Sequence, residues 1–233
     1  MARKKKGLVT MKRNLIAQSS PKSIYTEQFK TIRTNINFSM PDKELKTLLF
    51  TSASPGEGKS TSAANIAIVF AQEGKRVLLI DADMRKPTVH HTFHLTNGTG
   101  LSNVLTRQST IAEVVKASET EGLDIITCGP IPPNPAELIG SQTMKNVLEE
   151  MKSDYDIIIF DSPPILSVTD AQILSNRCDG TILVLNAGKT EKDSAVKAKE
   201  SLVTSNAHVI GTILNNFKLE KSHYYYKYYG EEE

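Results

Sequence analysis

Residues 52–61 read Ser52-Ala53-Ser54-Pro55-Gly56-Glu57-Gly58-Lys59-Ser60-Thr61. Residue types in that order suit the cradling of phosphate. Gly56 and Gly58 let backbone N–H groups turn inward on phosphate oxygens. A helix that begins at once afterwards presents its N-terminus, which attracts anions. Lys59 then reaches the β- and γ-phosphates of a nucleotide, Ser60 ligates Mg²⁺, and Thr61 lies near the α-phosphate. Ser54, Pro55 and Glu57 complete the stretch expected against the nucleotide. This is the P-loop pattern, with Ala53 where the first glycine is often found, and it points to ATP bound with Mg²⁺.

Three acids end apolar runs further along. Asp161 follows Ile157-Ile158-Ile159-Phe160, and Asp81 and Asp83 follow the run RVLLI at residues 76–80. Ligands on open α/β sheets bind at the carboxyl ends of the strands. A carboxylate at Asp161 can therefore hold Mg²⁺ through its water shell. Taken alone, it reads sooner as an acid that starts a turn. Three strand-end acids exceed what magnesium needs, so one can act as base or positioning group for an incoming nucleophile.

These side chains need elements to hold them. TLLFT at residues 47–51 is a short apolar run that predicts a buried strand, and residues 60–72, rich in Ala and Ile, predict a helix closed by Gly74. Strands are predicted over 76–80, 123–127, 156–160, 181–185 and 209–214. Helices are predicted over 24–38, 136–151, 169–176 and 191–204, with short helical patterns over 101–105 and 111–117. Pro21 and Ser23 supply start signals for the first helix, in which Phe29, Ile32 and Ile36 recur at helical spacing. Pro130, Pro132, Pro133 and Pro135 predict an irregular loop that lines a protein-substrate site or only shapes the chain. Apolar strands that alternate with helices are buried on both faces. The expected architecture is α/β, a P-loop NTPase-like, mostly parallel sheet covered by helices on both faces. The expected division is a basic arm over residues 1–20, one domain over 21–217 and a mobile tail over 218–233.

Composition agrees. The 233 residues are 39% hydrophobic and 23% charged, as in a folded globular chain with one sizeable core. A net charge of +2 is too balanced for a dedicated nucleic-acid binder. Arg3, Lys4, Lys5, Lys6, Lys12 and Arg13 lie together without an acid, as a solvated arm or one weakly drawn to an anionic membrane surface. Cys128 and Cys178 are too few and too far apart for a disulfide framework, which fits a reducing cytosol. No apolar run reaches the ~18 residues of a membrane span, and none follows the basic N-terminus as in a secretory signal. A cytoplasmic location is expected. His90 and His94 share a helical face beside His91, yet no HExxH pattern or cysteine partner makes them a metal site.

SASPGEGKST, LLIDADMRKP, IIIFDSPP and GPIPPNPAEL, in that order, resemble the bacterial tyrosine kinases known as BY-kinases. The resemblance covers the chain from Pro21 onward, and it is to the form whose kinase domain is a separate protein activated by a membrane adaptor. It implies that Asp81 is the base that orients and deprotonates a tyrosine hydroxyl. It implies that Asp83 holds Mg²⁺ with Ser60 and Asp161, and that Arg85 lies near the phosphates. It implies a ring of subunits joined through a Glu-x-x-Arg-x-x-Arg helix motif, whose positions are filled here by Glu27, Lys30 and Arg33. Lysine in place of the first arginine keeps the charge but loses the bidentate fork. Resemblance to related P-loop ATPases implies that Asn215 or Asn216, after the last strand, touches adenine.

The tail adds its own signal. Tyr224, Tyr225, Tyr226, Tyr228 and Tyr229 are five of the chain's seven tyrosines, and Gly230 and three glutamates follow. Beside the kinase motifs they read as autophosphorylation sites reached by a neighbouring subunit. Each phosphate adds roughly −1.5 to −2 of charge and would repel the tail from an acidic site. The expectation is an ATP-dependent tyrosine kinase acting on its own tail in trans and on cytosolic proteins, and linked to capsule or exopolysaccharide production. Its adaptor would recruit it to the inner face of the membrane. The alternative is a positioning or scaffold ATPase of a polysaccharide export complex. Positioning ATPases carry a signature lysine where Ser54 stands here.

Overall fold

The computed structural model describes residues 15–41 and 44–218. The strands are β1 (Thr47–Ser52), β2 (Val77–Asp81), β3 (Val115–Ala117), β4 (Leu123–Ile126), β5 (Ile157–Asp161), β6 (Gly180–Asn186) and β7 (Val209–Asn215). They form one sheet in the order β3-β4-β2-β5-β1-β6-β7. All pairings are parallel except β3 with β4. The helices are α1 (Ile16–Ser19), α2 (Ile24–Phe38), α3 (Lys59–Ala71), α4 (Val89–Thr92), α5 (Leu101–Leu105), α6 (Ile111–Val114), α7 (Pro135–Gly140), α8 (Gln142–Asp154), α9 (Asp170–Arg177) and α10 (Lys192–Thr204).

The apolar strands are split between two faces by their period of two. Leu48, Phe50, Val77, Leu79, Ile157 and Ile159 pack with Ile66, Val69 and Phe70 of α3. Leu49, Leu78, Ile80, Ile158 and Phe160 pack on the opposite side with Leu101 of α5 and Met144, Leu148 and Met151 of α8. Each central strand is thus covered twice, as its unbroken apolar run requires. The P-loop NTPase architecture expected from the sequence is the one observed.

Three local features differ from expectation. Residues 15–20, assigned to the arm, belong to the body: Ala17 is fully buried and its N–H donates to Asn65 Oδ1 of α3 at 2.9 Å. The pattern over 111–117 is helical only to Val114, then becomes the short antiparallel strand β3 beside β4. The helix expected over 136–151 is two helices. Ser141 adopts an extended backbone and its side chain caps α8 by accepting from Met144 N at 3.1 Å. Pro135, at the end of the proline segment, sits in the first turn of α7.

Candidate active site

Parallel pairing brings the strand-end acids together. Asp161 is the register partner of Asp81 on β2 and of Phe50 on β1, the strand that feeds the glycine loop. Both carboxylates are fully buried. The loop supplies the opposing charge. Lys59 Nζ lies 2.8 Å from Asp161 Oδ1, 3.5 Å from Asp83 Oδ2 and 3.2 Å from Ser60 Oγ. Burial alone would lower the Lys59 pKa, but the charges of Asp161 and Asp83 outweigh it and hold the ammonium above its ordinary value.

The loop backbone depends on glycine. Gly58 has φ +95° and leads into α3; a Cβ there would also meet Asn215 Nδ2 at 2.0 Å. Gly56 has φ +81° with open space around it. A carboxylate braces the turn from within. Glu57 is buried, its Oε2 accepts from Ser54 N at 3.0 Å, and its Oε1 accepts from Thr190 Oγ1. Thr190 Oγ1 in turn accepts from Asn186 N at 2.8 Å. Asn215 Nδ2 donates to the Glu57 carbonyl at 3.0 Å, so this asparagine backs the loop from β7. Pro55, Gly56, Glu57, Gly58, Lys59, Ser60 and Thr61 line one cavity together with Asp83 and Arg85. Ser54 sits behind it, acting through its peptide groups.

Asp81 is the acid to which the resemblance gives the role of base for an acceptor hydroxyl. It has no exposure and does not line the cavity. Its Oδ2 accepts from Thr88 N at 2.8 Å and Val89 N at 2.9 Å, and its Oδ1 from Asp83 N at 3.2 Å. Burial and then the Asp161 charge push its pKa up to about 7, against the pull of the Val89 and Thr88 N–H groups and of Lys59. Its oxygens are spent on backbone of the segment after β2. Asp83 is the acid of that segment which faces the cavity. Arg85, expected near the phosphates, gives Nε and Nη2 to Asp170, both at 3.0 Å.

Sequence reasoning missed three contributors. Asp170 carries no sequence signal beyond its place in the first turn of a helix. Thr88 places Oγ1 3.5 Å from Ser60 Oγ, and Thr190 holds Glu57. Isolated threonines carry no pattern that would single them out.

Of the expected interface residues, Lys30 Nζ pairs with Glu27 Oε1 at 2.6 Å on the exposed face of α2. Arg33 is turned inward. Its Nη1 donates to Val69 O at 2.6 Å, and its Nη2 lies 3.4 Å from Glu73. His90, His91 and His94 form no metal-holding group, nor does any set of three or more His, Cys, Asp or Glu among the described residues. Among them, too, no helix is long and apolar enough to cross a membrane. The tail tyrosines Tyr224, Tyr225, Tyr226, Tyr228 and Tyr229 lie outside the described residues.

A family model described as an AAA domain matches residues 45–190. The chain is 55% identical over 230 residues to the tyrosine-protein kinase YwqD of Bacillus subtilis, covering 99% of this chain and 97% of that protein. The chimerical protein CapA2B2 has a crystal structure that superposes with a TM-score of 0.85 at 42% identity, over 88% of this chain and 90% of that one. The kinase domain of the Escherichia coli tyrosine kinase ETK superposes with a TM-score of 0.85 at 32% identity, over 90% and 82%.

Proposed function

The chain belongs to the bacterial tyrosine-kinase family, in the short form whose kinase domain is a separate protein, and from that premise we propose how it works and on what. It transfers the γ-phosphoryl group of ATP to tyrosine hydroxyls, first those of Tyr224, Tyr225, Tyr226, Tyr228 and Tyr229 in another copy of itself. The observation that carries this reading is the meeting of Lys59, Ser60, Asp83 and Asp161 behind a glycine-turned loop.

Lys59 exchanges its carboxylate partners for phosphate oxygens when nucleotide enters. That exchange bares a donor set of one hydroxyl and two carboxylates, Ser60, Asp83 and Asp161. Asp161 Oδ2 is already buried without a hydrogen-bond partner. Hard oxygen donors, few in number and shared with phosphates, fit Mg²⁺. When bound, Mg²⁺ would supply charge that neutralises the nucleotide's phosphates. The bond from the γ-phosphorus to the ADP oxygen breaks while the bond to the tyrosine oxygen forms. The phenolic proton passes to a carboxylate other than the two that would hold the metal, the role that the resemblance gives to Asp81. The loose transition state needs little help from a base, so positioning dominates. Asp81 contributes by fixing the backbone that carries Asp83 and Thr88.

The same reading extends to partners. They are a transmembrane activator, cytosolic substrate proteins and further copies of the chain in a ring. The site of action is the cytoplasm at the inner face of the membrane, and the process is capsule or exopolysaccharide production. The resemblance carried by the four sequence motifs supports this part. For the ring, Glu27 and Lys30 are the outward members of the α2 motif and Arg33 braces it from below.

A mixing experiment tests the route. Full-length Lys59→Ala chain serves as acceptor and a chain ending at residue 218 as donor, with the activator segment present. Phosphotyrosine on the Lys59→Ala chain is expected. Phosphate that forms only when one chain carries both an intact Lys59 and the tail would exclude transfer between copies.

A further inference from the structure

Asp170 opens α9 and has no part in the route above. Its side chain has no exposure, and a carboxylate so placed is strongly destabilising unless paired. Its partner is Arg85, which donates from Nε to Oδ2 and from Nη2 to Oδ1. Two parallel charge-assisted bonds of this kind fix the plane of the guanidinium as well as its position. Arg85 itself is 43% exposed and lines the same cavity as Lys59, Ser60 and Asp83. One edge of the guanidinium is therefore taken, and no hydrogen bond from Nη1 to a described residue competes for the other.

The contact also joins the two segments that matter most. Asp83 Oδ1 accepts from Arg85 N at 3.3 Å and Lys86 N at 3.0 Å, so the acid that faces Lys59 and the arginine turn as one unit. Asp170 lies beyond the segment that leaves β5 at Asp161, whose Pro163, Pro164, Ser167 and Val168 form the adjoining wall. The Arg85–Asp170 pair ties the segment after β2 to the segment after β5 across the cavity.

We propose that Asp170 is a positioning residue that aims the free edge of Arg85 at the phosphoryl group as it passes to the acceptor. Asp170 then governs transfer and not the binding of ground-state nucleotide. This rests on the reading of Arg85 as a phosphate contact. The physical argument is that a pre-oriented, partly neutralised guanidinium needs no reorganisation when charge spreads over the equatorial oxygens.

The test compares Asp170→Asn, Asp170→Glu, Arg85→Ala and the double variant Arg85→Ala/Asp170→Asn in the full chain. Readouts are kcat and KM for ATP, Kd for a fluorescent ADP analogue, and Tm. Asp170→Asn should lower kcat on the order of 10- to 100-fold while Kd stays within about twofold. Asp170→Glu, which keeps the charge, should recover part of kcat. The double variant should be no slower than Arg85→Ala alone, because the two act as one unit. If Arg85→Ala keeps full kcat, the phosphate reading of Arg85 is wrong and the proposal goes with it. If Arg85→Ala is impaired but Asp170→Asn is not, or the two losses multiply, only the positioning role is overturned. Should Asp170→Asn fail to fold, the Glu variant decides, since an unchanged kcat with a displaced carboxylate contradicts aiming.

Discussion

Asp81 on β2 and Asp161 on β5 are direct partners in the parallel ladder, both without exposure, and Lys59 is the cation set against them. Two buried acids side by side would repel, and the loop lysine is what makes their proximity tolerable before nucleotide arrives.

Lys59→Met should therefore do two separate things. It should reduce tyrosine phosphorylation by at least two orders of magnitude, because the charge that follows the β- and γ-phosphates is gone. It should also lower the stability of the nucleotide-free protein by about 3–5 kcal/mol, since Asp161 loses its ion pair. Denaturant unfolding checks the second effect, and an unchanged midpoint would mean that the acids do not depend on Lys59.

Stability should also depend on pH through Asp81. Its carboxyl is pushed up to about 7 in the folded chain, above its ordinary value. The folded state then holds a proton that the unfolded state releases, so this contribution is present in full below about pH 4 and is lost as pH rises through about 7. Without nucleotide, the wild-type Tm should fall relative to that of Asp81→Asn between about pH 5 and pH 8. Parallel curves would show that Asp81 is ionised throughout.

Much of this was legible in the sequence. SASPGEGKST announces its own geometry because glycines, lysine and hydroxyl residues at fixed offsets leave few structures open. The unbroken runs ending in Asp81 and Asp161 announced a doubly covered sheet and acids at its edge. What escaped depends on tertiary distance. Nothing local tells that Asp81 spends its oxygens on Thr88 and Val89, or that Arg33 turns onto the end of α3. The boundary at residue 20 failed for the same reason. Ala17 is buried by a long-range contact with Asn65, and no periodicity in the short α1 signals it. Arg85 and Asp170 stand too far apart in sequence for a motif to link them.

Glu57→Ala should weaken nucleotide binding. The Ser54 N–H and the Thr190 hydroxyl lose their acceptor, and about 1–2 kcal/mol of loop order goes with them. KM for ATP should rise on the order of tenfold, with kcat at saturation little changed. A fall in kcat at constant KM would place Glu57 in the transfer step instead.

Arg33 and Glu27 should separate by readout. Arg33→Ala removes a donor to Val69 O and a positive charge at the C-terminal end of α3, and should cost about 1–2 kcal/mol of stability. Glu27→Ala should leave Tm within a degree or two and reduce the mass of any assembly seen by light scattering. Loss of assembly from Arg33→Ala at unchanged Tm would return Arg33 to the subunit interface.

Tyr155 donates its hydroxyl to Asp124 Oδ2 at 2.9 Å and is part-buried, whereas Tyr25 is exposed on α2. These are the two tyrosines outside the tail cluster, so the position of phosphate distinguishes the account from its rivals. The decisive measurement is mass-spectrometric mapping of phosphosites after incubation of the full chain with ATP and Mg²⁺. It is run with and without an activator segment shown to bind, and with Lys59→Ala as control. The account predicts phosphate on Tyr224, Tyr225, Tyr226, Tyr228 and Tyr229 that disappears with Lys59. Phosphate mainly on Tyr25 or Tyr155, or ATP hydrolysis with no phosphotyrosine in either condition, would contradict it.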